Sequence, residues 1–164
     1  MMNKNKTIMA LSAAGLLFMS AAHSADNGPK TRASDTADMR VTLTVEASCK
    51  LDVDDMNFGT HGSNAGELTQ DANATVTCTK DVPYTLYVDA KHDYIMKNDA
   101  GDSVAYTLYS DSGRSKQLDD TNGLDGVGNG ADQTVPIYGR VTAAALQAAP
   151  EGAYSDNVTL VVRY

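Results

Sequence analysis

The sequence has no tryptophan, only two cysteines and three histidines, and fewer basic than acidic side chains. With 13 Lys and Arg against 21 Asp and Glu, the formal net charge is −8 at pH 7. Nucleic acid and anionic lipid would repel a chain of this charge. A metal centre needs clustered His, Cys or acidic ligands, and the two cysteines have no such neighbours. We therefore expect no nucleic-acid partner, no metal and no cofactor.

Catalytic motifs are missing as well. The sequence contains no G-x-S-x-G, no H-E-x-x-H and no P-loop. His61 and His92 lie in polar, loop-like sequence, and the glycine run at 126–130 does not fit the dinucleotide-binding pattern. Serine and aspartate are plentiful, but a nucleophile requires a base poised beside it. We predict that the protein is not an enzyme.

Long apolar runs are absent outside the first 25 residues. Two lysines precede an apolar stretch at 8–19, and mostly small residues follow at 21–25, which is the pattern of a signal peptide. The alternative is an N-terminal membrane anchor, but the apolar stretch is too short to span a bilayer. We expect residues 1–25 to be removed on export and residues 26–38 to form a flexible leader. The mature chain should then have no transmembrane segment.

The two cysteines, Cys49 and Cys78, are predicted to form a disulfide, because an exported chain folds in an oxidising compartment. A loop of about 29 residues closed in this way contributes about 3.5 kcal/mol in the chain-entropy model. The alternative is a pair of buried free thiols.

Alternating apolar residues dominate the rest of the chain. Met39, Val41, Leu43 and Val45 fall at every second position, the period of a strand with one apolar face. Similar runs predict further strands at 49–53, 74–79, 84–88, 104–108, 135–141 and 158–164. The only helical stretch is alanine-rich, at 143–149, and Pro150 ends it. The class is therefore all-β, a two-sheet sandwich of about six strands, which is one fewer than an immunoglobulin-type sandwich needs.

The segment that contains Met39–Val45 has two interpretations. It is either the first strand of its own domain or a spare strand beside a domain that is one strand short. Residues 39–53 are too long for one ordinary strand, so we divide them near 46–48. This gives an N-terminal donor strand at 39–46 and a domain at 47–164, but the pattern alone leaves both interpretations open.

A polar, glycine-rich segment at 110–133 is predicted to be a long loop. Its acidic residues include Asp119, Asp120 and Asp125, which together with Asn122 raise the possibility of a calcium site. The spacing does not fit an EF-hand, so we favour a solvated loop. A different class of function places a carbohydrate site on the loop at 112–133 and on exposed tyrosines. The chain would then be a self-contained secreted binding module.

Five segments occur in a fixed order and carry a resemblance to a known family. They are C-K-L with M-N-F-G-T (49–51 and 56–60), T-V-T-C-T with P-Y-T-L (75–79 and 83–86), Y-T-L-Y-S-D with R (106–111 and 114), V-P-I-Y-G-R (135–140), and G-A-Y-S-D with the final Y (152–156 and 164). Together they resemble the spore coat protein U domain family, found in subunits of archaic (Csu-type) chaperone–usher pili.

The resemblance implies an immunoglobulin-like fold that lacks its last strand. In this family a periplasmic chaperone lends a strand, and an outer-membrane usher exchanges it for the N-terminal strand of the next subunit. The donor side chains would be Met39, Val41, Leu43 and Val45. One wall of the acceptor groove would be formed by Val158, Leu160, Val162 and Tyr164, with the Tyr164 carboxylate as chaperone anchor.

The implied partners are identical or related pilus subunits, the chaperone and the usher. The implied location is a surface pilus (fimbrium) reached through the periplasm, with a role in adhesion and biofilm formation. A secreted spore or cell-coat protein that uses the same strand exchange is an alternative within this class.

Overall fold

The computed structural model describes residues 32–89 and 92–164, and most of its regular secondary structure is β-strand. The predicted signal peptide, 1–25, and the first part of the predicted leader, 26–31, lie outside the described residues. The strands are β1 (Cys49–Val53), β2 (Leu68–Cys78), β3 (Pro83–Val88), β4 (Ile95–Lys97), β5 (Ser103–Ala105), β6 (Thr107–Tyr109), β7 (Leu124–Val127), β8 (Asp132–Val141) and β9 (Leu160–Arg163). A single short helix, α1 (Ala143–Gln147), is the other element of the described residues. The all-β prediction is confirmed.

The chain divides into two units, one that ends at Thr42 and one that spans Leu43–Tyr164. In the first unit, the described residues 32–42 have no regular secondary structure and are exposed. In the second unit, residues 43–48 likewise form no strand, and β1 begins at Cys49.

The strands of the second unit form three antiparallel sheets. One has four strands in the order β1-β2-β8-β6, one has three in the order β7-β3-β9, and β4 pairs with β5. The longest ladder joins β2 to β8, from Leu68↔Val141 to Thr77↔Asp132. Pro136 lies on β8 beyond the stretch that pairs with β6, so one side of the strand is an edge there. Proline lacks an N–H to donate, and an edge position tolerates that loss.

The core follows from the two-residue period of these strands. Ala74 and Val76 on β2 and Leu86 on β3 are all fully buried, while alternate β2 residues face outward. Leu118, from the segment that the sequence predicts as loop, is also fully buried in this core. The apolar faces of the two larger sheets therefore bury each other.

The predicted disulfide is confirmed. Cys49 and Cys78 are bonded, and they are register partners at one end of the β1–β2 ladder. The pairing continues past the disulfide, because the Thr79 amide donates to the Ser48 carbonyl at 2.9 Å. The bond therefore ties the edge strand β1 to the centre of its sheet.

The structure differs from the sequence interpretation in the polar segment at 110–133. This segment is not one loop: β7 lies within it and pairs with β3, and β8 begins at Asp132. The carboxylate of Asp119 accepts hydrogen bonds from the Asn122 backbone and side chain, and Asp125 accepts one from Thr85. The strand β7 was missed because its sequence, L-D-G-V, is short and half polar, and its stability comes from the neighbouring strand.

The nine strands of the described residues exceed the predicted six. The predicted strand at 104–108 is divided into β5 and β6, and the two strands that were not predicted, β4 and β7, are only three and four residues long. Strands of that length carry too little periodicity to be recognised from sequence. Within residues 32–89 and 92–164, no helix has the length and apolar character needed to cross a membrane.

Candidate functional site

An open groove of about 1350 Å³ lies on the second unit. One wall is the end of β1 and the segment that follows it, residues 53–63. The other wall is the C-terminal segment that leads into β9, residues 149–158 and Leu160. The first wall continues from β1 and the second leads into β9, and each of these strands lies at the edge of a sheet.

The edges that face the groove have no strand partner among the described residues. β1 pairs only with β2, and β9 pairs only with β3. An unpaired strand edge presents a row of N–H and C=O groups that can accept another strand. The groove therefore lies next to two strand edges that could accept another strand, at Val53 on one side and at Leu160 on the other.

One end of the groove is narrow. There β1 and β9 approach each other, and Leu51 and Val162 pack against the same small core cluster of Val76, Cys78 and Tyr84. From that point β1 leads out to Val53, whereas the chain enters β9 through Leu160, and both residues line the groove. The two walls therefore run antiparallel, so that residues 59–63 and 149–152 lie towards the wide end.

The floor of the groove is apolar and belongs to the main core. Its residues come from the four-stranded sheet, the small sheet, the link between β5 and β6, and the helix: Leu68, Ala72, Met96, Val104, Tyr106, Leu108, Ile137, Val141 and Leu146. Several of them are almost fully buried already, including Val141 at 1% and Ile137 at 3% exposed. An occupant of the groove would complete this core.

Met56 and Phe58 reach into the groove from its first wall and pack against the core. They pass over Gly139 on β8, where a Cβ atom would lie 2.9 Å from Cζ of Phe58. A glycine at this position is required by that close approach, because a larger residue would displace both side chains.

A polar cluster supports the second wall. Asp156 accepts a hydrogen bond from the Tyr106 hydroxyl at 2.8 Å and another from Nε2 of His92 at 2.7 Å. Next to Asp156, Ser155 exchanges two backbone hydrogen bonds with Lys97 of β4. This wall is therefore fixed to the domain although few of its residues lie in a strand.

The pKa values of this cluster follow from burial and hydrogen bonding. Burial raises the pKa of Tyr106 well above its ordinary value, and the bond to Asp156 raises it further. Burial also raises the pKa of Asp156, but the hydrogen bonds from Tyr106 and His92 and the charge of His92 outweigh it. The pKa of Asp156 therefore lies below its ordinary value of 3.8. Tyr106 stays a neutral donor and Asp156 a charged acceptor.

We expect this cluster to make stability depend on pH in acid. A carboxyl group whose pKa is lowered by folding stabilises the fold above its unfolded pKa, and that contribution is lost as pH falls through the folded pKa. In Asp156→Asn, the free energy of unfolding should be lower than in the wild type at pH 6. The difference should shrink once the pH falls below 3.8. Denaturant titrations of both proteins at pH 6 and at pH 3 measure this difference in the free energy of unfolding.

The matched control for this measurement is Asp52→Asn, a substitution at an exposed carboxylate on β1. It should follow the wild type at both pH values. A difference between wild type and Asp156→Asn that is constant from pH 6 to pH 3 would contradict the linkage.

The residues predicted to form the acceptor wall divide into three groups. Val158 and Leu160 line the groove. Val162 packs against the cluster at the narrow end, and the Tyr164 side chain is 60% exposed. The wall also extends back to residue 149, and the opposite wall, 53–63, was missed from the sequence. The signal for that wall was present in the spacing of Met56 and Phe58 after β1.

The residues predicted to form the donor strand are exposed apolar side chains. Met39 is 85%, Val41 83%, Leu43 87% and Val45 72% exposed. Four apolar residues alternate along this segment, all are in contact with solvent, and the segment has no regular secondary structure. In an extended conformation they would form a one-sided apolar stripe.

Comparison with protein-family models shows the family to which this chain belongs. The model of the Spore Coat Protein U domain matches residues 35–161. The chain belongs to the Spore Coat Protein U domain family. The family predicted from the five motifs is thus confirmed. The match begins ahead of the apolar stripe and ends inside β9, so this Spore Coat Protein U domain includes both the stripe and the groove.

A solved structure shares the fold of this Spore Coat Protein U domain. It is the crystal structure of the CsuC–CsuE chaperone–tip adhesion subunit pre-assembly complex from archaic chaperone–usher Csu pili of Acinetobacter baumannii. The match has a TM-score of 0.53 and 18% sequence identity, and it covers 74% of this chain and 40% of the matched chain. This chain thus corresponds to less than half of the matched one. This likeness confirms the predicted immunoglobulin-like class. Among curated proteins, none matches the sequence.

Proposed function

We propose that this protein is a structural subunit of a surface pilus assembled by the chaperone–usher pathway. The apolar stripe of one copy, Met39 to Val45, is the donor strand for the groove of the next copy. The observation that carries the proposal is that one chain holds both an apolar groove with two unpaired strand edges and an exposed apolar stripe with the period of a strand. An open groove with free strand edges and an exposed apolar stripe each favour aggregation when they are unpaired. A strand with one apolar face is the kind of segment that such a groove can accept.

Burial and hydrogen bonding would make the linkage strong. Each donor side chain that is fully buried contributes about 1.5–3 kcal/mol, and burial estimates of this kind are upper bounds. A ladder of backbone hydrogen bonds to β1 and β9 adds about 0.5–1.5 kcal/mol for each bond. The sum of these free energies predicts a long-lived linkage between neighbouring subunits.

The geometry of exchange also determines the kind of assembly. Donor and acceptor are different surfaces of the chain, so the contact is heterologous. Heterologous contacts produce an open filament unless the rotation between copies closes a ring. A linear pilus of identical or related subunits follows from this arrangement.

A subunit whose groove is empty exposes core residues and strand edges, which is an aggregation hazard. We propose that a periplasmic chaperone covers the groove until an outer-membrane usher exchanges it for the next donor strand. The shared fold with a chain from a chaperone–subunit complex supports this. The proposed location is a cell-surface pilus reached through the periplasm after removal of residues 1–25, with a role in adhesion and biofilm formation.

The proposal predicts that deletion of residues 26–45 separates folding from assembly. The described part of this segment, residues 32–45, contains no helix or strand, so the variant should retain the β-sheet circular dichroism spectrum of the wild type when co-expressed with its chaperone. It should fail to form filaments on its own because it carries no donor. Electron microscopy and SDS-resistant ladders measure assembly.

The matched control is deletion of residues 26–38, which removes the leader and leaves the apolar stripe. This variant should still polymerise. Loss of the fold on deletion of 26–45 would contradict the proposal and favour a self-contained secreted module, in which these residues belong to the domain's own sheet.

A further inference from the structure

Four carboxylates line the groove, and no Lys or Arg of the described residues does. They are Asp54, Asp55, Glu151 and Asp156, and one histidine, His61, lies among them. Asp156 is engaged by Tyr106 and His92. Two of the remaining carboxylates, Asp54 and Asp55, directly follow Val53 at the narrow end, whereas Glu151 lies towards the wide end. All three are exposed.

The donor stripe carries a single charge of the opposite sign. Arg40 is the one charged residue of the segment 39–45, which lies between Asp38 and Glu46. When the four apolar side chains of the stripe face the floor of the groove, Arg40 faces outward, because side chains alternate along a strand. Asp55 also faces outward, since its neighbour Met56 turns inward and packs against the core. Arg40 and Asp55 would therefore lie on the same outer face.

The unequal charge of the two ends distinguishes the two directions in which a donor can lie. If the donor runs from the narrow to the wide end, Arg40 and the nearby Asp38, which together carry no net charge, approach Asp54 and Asp55, and Glu46 meets only Glu151. If it runs the other way, Glu46 meets two carboxylates and Arg40 meets one. Cross-strand neighbours of opposite charge attract and like charges repel, so the first direction is favoured.

We propose that Arg40 of the incoming copy pairs with Asp54 and Asp55 at the narrow end of the groove, and that this pair directs the donor strand during exchange. The inference rests on the proposed function, since it assumes that the stripe is the occupant of the groove. An exposed ion pair adds little to equilibrium stability. Its effect lies in the association rate and in the rejection of the wrong direction.

The test measures how fast a donor peptide enters the groove. The acceptor is the full chain with Leu43→Asp, which disables its own stripe, and the probe is a fluorescent synthetic peptide of residues 36–47. At an ionic strength of about 0.01 M, where the Debye length is about 30 Å, the wild-type peptide should associate about tenfold faster than the Arg40→Glu peptide. At about 1 M the difference should largely disappear.

Two acceptor variants of equal net charge locate the interaction. With Asp55→Lys added to the acceptor, the advantage of the wild-type peptide should fall to about twofold or less. With Glu151→Lys added, the advantage should stay close to tenfold. Because both substitutions change the net charge equally, general attraction to an acidic protein cannot produce this contrast.

The possible failures are distinguishable. If neither peptide binds the groove, the proposed function is overturned, and this inference with it. If both peptides bind at the same rate, the proposed function stands and the role of Arg40 is overturned. If Glu151→Lys removes the advantage and Asp55→Lys does not, the donor lies in the opposite direction and the pair is wrong.

Discussion

Leu43→Asp should abolish filament formation while leaving the subunit folded. The Leu43 side chain is 87% exposed in the single chain, so an aspartate there meets no apolar neighbour before assembly. In the groove of the next copy it would place a carboxylate against the floor that includes Leu108 and Ile137. The loss of leucine burial and the cost of desolvating a charge together amount to about 4 kcal/mol or more. That corresponds to about a thousandfold in the equilibrium constant.

Filament yield by electron microscopy and by SDS-resistant ladders measures this effect. Two controls accompany it. Thr44→Asp carries the same new charge on the opposite face of the stripe, where side chains alternate outward, and should still assemble. Asp119→Ala, in a turn next to β7, should also assemble normally. Normal filaments from Leu43→Asp would show that the donor assignment is wrong.

Removal of the disulfide should produce the second large effect. In the chain-entropy model the bond between Cys49 and Cys78, with a sequence separation of 29, contributes about 3.5 kcal/mol. A domain of this kind has a total stability of about 5–15 kcal/mol, so the loss is a large fraction. The bond also ties β1 to the sheet at the narrow end of the groove, where Cys49 and Val162 pack against the same cluster. The double variant Cys49→Ser/Cys78→Ser should therefore lose both stability and acceptor function.

Guanidinium unfolding of the chaperone-free subunit and the periplasmic yield measure the loss. Wild-type protein in the presence of a reductant is the matched control, since it breaks the same bond without a substitution, and it should show the same shift. If the free energy of unfolding falls by less than about 1 kcal/mol in both the double variant and the reduced wild type, the bond does not stabilise this domain as the loop model requires.

The long strands could be predicted from residues near each other in sequence, the disulfide from the presence of two cysteines in a chain with an export signal, and the family from five motifs in a fixed order. The alternation at 74–79, 84–88 and 135–141 was recognised because each run is long enough to carry its period. The short strands β4 and β7 were not, because their order comes from the neighbouring strands with which they pair. The first groove wall was missed for a related reason. The segment 54–63 has no strand of its own, and it becomes a wall only because β9 lies across from it.

The sequence by itself determined the class, the disulfide, the family and the apolar stripe, since each of these depends on period, spacing or a local motif. Only the tertiary structure decided which residues meet. It placed Val158 and Leu160 in the groove but Val162 in the closed end, and it put Asp54 and Asp55 at one end and Glu151 at the other. The physical reason is that a groove is formed by two edges far apart in the chain. Their approach is set by the packing of whole sheets, which no local pattern records.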